Sequence, residues 1–124
     1  MDYVENFDEL EVYKLARQLS KEIFDISKTF PKEETYSLTD QMRRAARSVG
    51  GQIAEAWAKR KYERHFVSML TDADGEQLET RHWIGTALDC SYIKQEVADR
   101  LSDQYLYVGR MLKSMMDKSS SFCH

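Results

Sequence analysis

A chain of 124 residues, 42% of them hydrophobic, fits one domain with one continuous core. Eighteen lysines and arginines against 21 acidic residues leave a net charge of −3, and that total alone predicts neither a nucleic-acid binder nor a membrane binder. One proline and five glycines leave little material for long loops, and no run of about 20 apolar residues is available to span a membrane.

The first residues, Met1-Asp2-Tyr3-Val4-Glu5-Asn6, lack the basic and apolar parts of a signal peptide. The only cysteines, Cys90 and Cys123, are far apart and read as free thiols of a reducing compartment. The expected location is the cytoplasm.

Apolar spacing predicts four helices in chain order. The first runs from about Glu9 to Lys28, where Val12, Leu15, Leu19, Ile23, Ile26 and Phe30 step by three or four residues along one face. Pro31 stops it, because proline disfavours helical geometry in the residue before it. The second runs from about Leu38 to Arg60, with Ser37 as the expected N-cap. Its stripe is Leu38, Met42, Ala45, Val49, Ile53 and Ala56, bordered by Trp57. Gly50-Gly51 interrupts it, and each glycine costs about 1 kcal/mol relative to alanine. The pair predicts a kink or a close backbone approach.

The third helix runs from about Tyr62 to Asp89, with Phe66, Leu70, Ala73, Gln77, Ile84 and Leu88 inward. The fourth runs from about Lys94 to Met116 on Val97, Leu101, Tyr105, Val108, Leu112 and Met115. The tail, residues 119–124, has no period and reads as flexible. The expected fold class is therefore all-α: an antiparallel up-down-up-down four-helix bundle over residues 1–118.

Catalytic motifs are missing from the sequence. It has no Gly-x-Ser-x-Gly, no Cys-x-x-Cys and no Gly-x-x-x-x-Gly-Lys, so neither an enzyme nor a cofactor is expected. Glu79 and His82 form a Glu-x-x-His, but di-iron bundles need two such elements and two further glutamates, and no second one occurs. No metal site is expected.

Charge is more informative when read locally. Between Gln41 and Phe66 lie Arg43, Arg44, Arg47, Lys59, Arg60, Lys61 and Arg64, opposed only by Glu55 and Glu63. Arginine suits phosphate because its planar fork donates paired hydrogen bonds. The segment is a candidate contact for the backbone of RNA or DNA, with strong salt dependence. The competing reading pairs these cations with the acidic start of the chain: Asp2, Glu5, Asp8, Glu9 and Glu11. On a helical wheel, Gly50, Gly51, Ala54 and Ala58 fall together beside the large apolar stripe. Such small residues let another helix approach closely, either from the same bundle or from a second subunit.

Phe7-Asp8-Glu9-Leu10-Glu11-Val12-Tyr13, Phe30-Pro31-Lys32-Glu33-Glu34 and the run Leu38-Thr39-Asp40-Gln41-Met42-Arg43-Arg44-Ala45-Ala46-Arg47-Ser48-Val49 carry a resemblance. So do Ile53-Ala54-Glu55-Ala56, Ala73-Asp74-Gly75 and Glu79. From about Phe7 to Met115 the chain resembles the four-helix bundle proteins encoded in intervening sequences of bacterial 23S ribosomal RNA genes. The departures are Gln52 for the family's usual Asn, Ala56 for its Gly, and Gly50-Gly51 where a proline-containing step is frequent. The resemblance implies a ring-like homopentamer without established catalytic activity. It also implies kinship with the accessory variability proteins of diversity-generating retroelements, which bind nucleic acid and a reverse transcriptase. The expected partners are thus further copies of the chain, RNA or DNA, or a protein encoded nearby.

Overall fold

Each predicted stripe needs an apolar surface to bury against, and four stripes on one short chain satisfy one another. The computed structural model describes residues 4–124. Its long helices are α1 (Glu11–Ser27), α2 (Asp40–Ala58), α3 (Glu63–Asp89) and α4 (Gln95–Asp117), followed by a short α5 (Ser119–Phe122). There is no strand among the described residues.

Side-chain neighbours fix the directions. Tyr13 lies beside Gly50 while Phe24 and Ser27 meet Arg43, so α1 and α2 run antiparallel. Gln77 abuts Gly109 while Thr71 meets Met116, so α3 and α4 do too. Arg100 binds Glu22 at 3.0 Å, and α4 closes the ring against α1. The short turn from Lys59 to Tyr62 reverses α2 into α3. The result is the up-down-up-down bundle expected from the sequence.

The core is assembled from the predicted stripes with a small rotation. Ala16 and Ser27 of α1, Thr80 and Ala87 of α3, and Ala98 of α4 are buried, whereas Leu15, Ile26, Leu88 and Val97 sit half-buried at its edge. Small residues occupy the seam because they admit close helix approach, and the larger neighbours flank it. Three polar residues enter the interior of α3 and α4. Thr80 returns its hydroxyl to the Glu76 carbonyl at 2.8 Å, and Gln77 donates to Asp74 at 2.9 Å. Tyr105 is fully buried, its hydroxyl has no partner, and burial, with Glu22 nearby, pushes its pKa well above the usual tyrosine range.

Two local expectations are corrected. Ser37 does not cap α2: its hydroxyl donates to Glu34 at 2.9 Å, and the chain enters α2 through a wide π-type turn, Thr35–Thr39, already helical at Thr39. A helix that continues from a preceding turn has fewer orphan amides for a cap to satisfy. Nor is α2 broken at Gly50-Gly51. The helix runs through both, with Tyr13 in ordinary contact at 3.5 Å from a Cβ built on Gly50 and open space at Gly51.

The α3–α4 turn closes through Ser91, whose φ of 62° is the left-handed step that lets Tyr92 N–H reach the Ala87 carbonyl at 2.9 Å. The tail has no apolar period but folds back as α5. Phe122 stacks on Phe66 with centroids 5.9 Å apart, and Ser119 hydrogen-bonds Glu63. Cys90 and Cys123 are both free thiols near opposite ends of α3, roughly 40 Å apart along its 27 residues.

Candidate nucleic-acid interface

The seven basic residues form one run in sequence but two groups in space. Arg43, Arg44 and Arg47 lie on the N-terminal half of α2. Lys59, Arg60, Lys61 and Arg64 lie at the turn into α3. Eleven helical residues lie between Arg47 and Lys59, a rise of about 18 Å. Among the described residues none of the seven makes an ion pair; the five that exist join other side chains. Pairing with the acidic start of the chain is therefore not seen for Glu5, Asp8, Glu9 or Glu11, and Asp2 lies outside the described residues.

The first group is tied to α1. Arg43 donates from Nε to Ser27 Oγ at 2.7 Å and from Nη2 to the Phe24 carbonyl at 3.4 Å. Its guanidinium lies 4.6 Å from the Phe24 ring centroid, and Arg47 lies 5.5 Å from it. Lys21 and Lys28 approach the same ring at 5.8 and 4.8 Å. Asp25 binds Lys21 at 2.9 Å and Lys28 at 3.6 Å, and the Lys21 hydrogen bond holds its carboxyl below the usual carboxylate range.

Phe24 is thus a hub that the apolar spacing does not reveal, since it stands beside the core stripe rather than in it. Its signal was the pair Lys21 and Lys28, three residues before and four after it, which share its face of the helix. Beside the hub, Asp40, Arg43, Arg44, Arg47, Ser48 and Gly51 line a broad open hollow of about 550 Å³. Arg44 and Arg47 are exposed there.

The second group is less constrained. Arg60 lies over Trp57, its guanidinium carbon 3.6 Å from the ring centroid, and donates to the Trp57 carbonyl at 2.9 Å. Lys59, Lys61 and Arg64 are exposed. Tyr62 is 57% exposed, with Lys61 Nζ 5.8 Å from its ring centroid and the His65 ring 5.5 Å away. The one acid among them, Glu63, accepts the Ser119 hydroxyl.

The small-residue set is divided. Gly50 and Ala54 are half-buried, and with Gly51 they line a 220 Å³ groove between α1 and α2 that Phe7 and Tyr13 also border. Gly51 and Ala58 face outward. Glu79 and His82 are engaged with Trp83: Glu79 accepts its indole N–H at 3.3 Å, and the His82 ring meets it edge-on at 4.7 Å. No group of three or more His, Cys, Asp or Glu is placed to hold a metal ion among the described residues. Glu76 has its pKa raised by partial burial first, then by Glu79 and Asp72. No described helix is long and apolar enough to cross a membrane.

The family model for the 23S rRNA-intervening sequence protein matches residues 8–114. A crystal structure of a protein of unknown function from the S23 ribosomal protein family of Bacteroides thetaiotaomicron superposes with a TM-score of 0.76. It shares 21% sequence identity, with 86% of this chain and 95% of that chain covered. At that identity the likeness shows the fold alone. No curated protein matches the chain.

Proposed function

The chain belongs to the 23S rRNA-intervening sequence protein family, and on that premise we propose that it is a non-enzymatic binding module of the cytoplasm that contacts the phosphate backbone of RNA or DNA. The carrying observation is that all seven basic side chains from Arg43 to Arg64 lack an acidic partner among the described residues, in a chain that is acidic overall. Unpaired cations hold counterions that a phosphate backbone can displace, and that release drives binding.

Arg43 and Arg60 are anchored in the fold, so the phosphate contacts fall to Arg44, Arg47, Lys59, Lys61 and Arg64. The test is a salt titration of affinity for a labelled nucleic acid with Arg44 and Arg47, then Lys59, Lys61 and Arg64, changed to alanine. Each lost contact lowers the log–log salt slope by about 0.7 on a single strand and 0.9 on a duplex. Unchanged affinity in both variants would reject the reading.

Assembly belongs to the same proposal. The outward Gly51 and Ala58, next to Gly50 and Ala54, offer a low surface on which a second copy can pack closely. We read the protein as a homo-oligomer, the pentamer being the form that the family resemblance implies. Light scattering that returns a monomer at micromolar concentration rejects this part.

A further inference from the structure

We infer that Tyr62 is a base-stacking platform, and that the nucleic acid this protein takes is single-stranded at the α2–α3 turn. The inference rests on the reading above and adds to it which strand form is recognised and by which side chain.

The case comes from comparing the exposed tyrosines. Tyr36 is 81% exposed but follows Glu33 and Glu34, so a phosphate strand is repelled beside it. Tyr107 is 54% exposed on the middle of α4, between Asp103 and Arg110, with no local excess of either sign. Tyr62 is 57% exposed and stands among Lys59, Lys61 and Arg64, all exposed themselves. Its acidic neighbour Glu63 keeps its charge but is outnumbered by the three cations Lys59, Lys61 and Arg64, whereas Tyr36 has Glu33 and Glu34 against Lys32 alone. Among these three, Tyr62 alone combines an open aromatic face with unpaired cations on both sides in the chain.

Position adds to chemistry. Tyr62 is the residue before α3, with extended backbone, φ −122° and ψ 103°. The residue therefore sits at a corner of the bundle, outside the regular turns of α3, and its ring is exposed there. His65 lies beside it, tilted by 51°, and supports a second aromatic face. Exposed aromatic surface among cations is the combination that captures unpaired bases, since every base has a face to stack while the cations hold the backbone. A duplex presents its bases only at its edges and gains nothing from such a platform.

The test is fluorescence anisotropy of the full chain with a labelled 12-nucleotide RNA, the DNA of the same sequence, and the duplex of each. Tyr62→Ala is expected to weaken single-strand binding by about 5- to 150-fold, the range for one lost stack. Tyr62→Phe keeps the ring and is expected to retain wild-type affinity. Duplex affinity and the salt slope stay unchanged in both, because neither variant removes a cation. Equal RNA and DNA losses place the recognition in the base face; a larger RNA loss adds the sugar hydroxyl, and both outcomes support the platform.

Wild-type single-strand affinity in Tyr62→Ala, or an equal loss on the duplex, overturns the platform and leaves the phosphate-binding reading standing. Failure of the wild type to bind any of the four probes at low salt overturns both. Tighter binding of polyglutamate than of either strand, indifferent to Tyr62→Ala, shows an acidic protein partner and also overturns both. Circular dichroism of each variant establishes that it is folded.

Discussion

The two ends of the bundle use the same residue types to opposite effect. At the end where α1 passes into α2, Phe24 is approached by four cations, all within 5.8 Å, and Arg43 is further held by Ser27. At the end where α2 passes into α3, Tyr62 has one lysine at 5.8 Å and an open face. Aromatic and cation together therefore do not define a ligand site. What matters is whether the protein already fills the aromatic face. The closed end is also clamped across the bundle. Tyr92 donates to Glu34 at 2.8 Å, and its ring meets Phe30 at 5.4 Å.

If the closed end is structural, its aromatic must carry stability. Phe24→Ala is expected to cost about 2 kcal/mol, less than the 3–5 typical of a fully buried phenylalanine because Phe24 is half-buried. Arg43→Ala should cost about 1–2 kcal/mol, as it removes a charge-assisted hydrogen bond and exposes part of the hub. Tyr62→Ala at the open end should change stability by less than about 0.5 kcal/mol. Urea unfolding of the three variants measures this directly. A Tyr62→Ala loss as large as that of Phe24→Ala would erase the distinction.

The clamp at the closed end also has a pH signature. Accepting the Tyr92 proton bond, Glu34 pushes the tyrosine pKa up to about 12. A group whose folded pKa is raised contributes its stability fully below the unfolded value, near 10, and loses it as pH rises towards 12. Tyr92→Phe should therefore be less stable than the wild type at pH 8, and the gap should close by pH 12. Urea midpoints at the two values check it. The buried Tyr105 remains in both proteins, so the alkaline decline that it adds is common to them and leaves the difference unaffected.

The bundle was legible in the sequence because period is a local property. Val12, Leu19, Ile23, Leu101, Tyr105 and Leu112 report their helix faces without any knowledge of their partners. The resemblance drawn from Phe30-Pro31-Lys32-Glu33-Glu34 also gained a physical reason, since Phe30 and Glu34 both hold Tyr92. Ser37 misled because capping chemistry looks the same whether a helix starts afresh or continues from a π-type turn. For the candidate site, the sequence identified the seven cations but not their division. That division depends on Phe24, which belongs to a different helix from the arginines it engages, and no spacing rule links Phe24 to Arg43. Tyr62 was visible within the basic run, but its exposure was not.

The smallest expected effect separates the ends most cleanly. Asp25 positions Lys21 and Lys28 around Phe24, and its pKa is lowered chiefly by the Lys21 hydrogen bond. A carboxyl with a depressed folded pKa contributes stability above its unfolded value, near 4, and loses it as pH falls through the folded value. Asp25→Asn should therefore lower the urea midpoint slightly at pH 6, and the difference should narrow as pH falls below about 4 and the wild type loses the same contribution. The pair is exposed, so added salt should also shrink the difference at pH 6. No carboxylate pairs with Lys59, Lys61 or Arg64 among the described residues, so the open end has no counterpart to titrate. A variant of those three cations that reproduced the acid dependence of Asp25→Asn would mean that the open end is ion-paired in solution, and its cations would then not be free for phosphate.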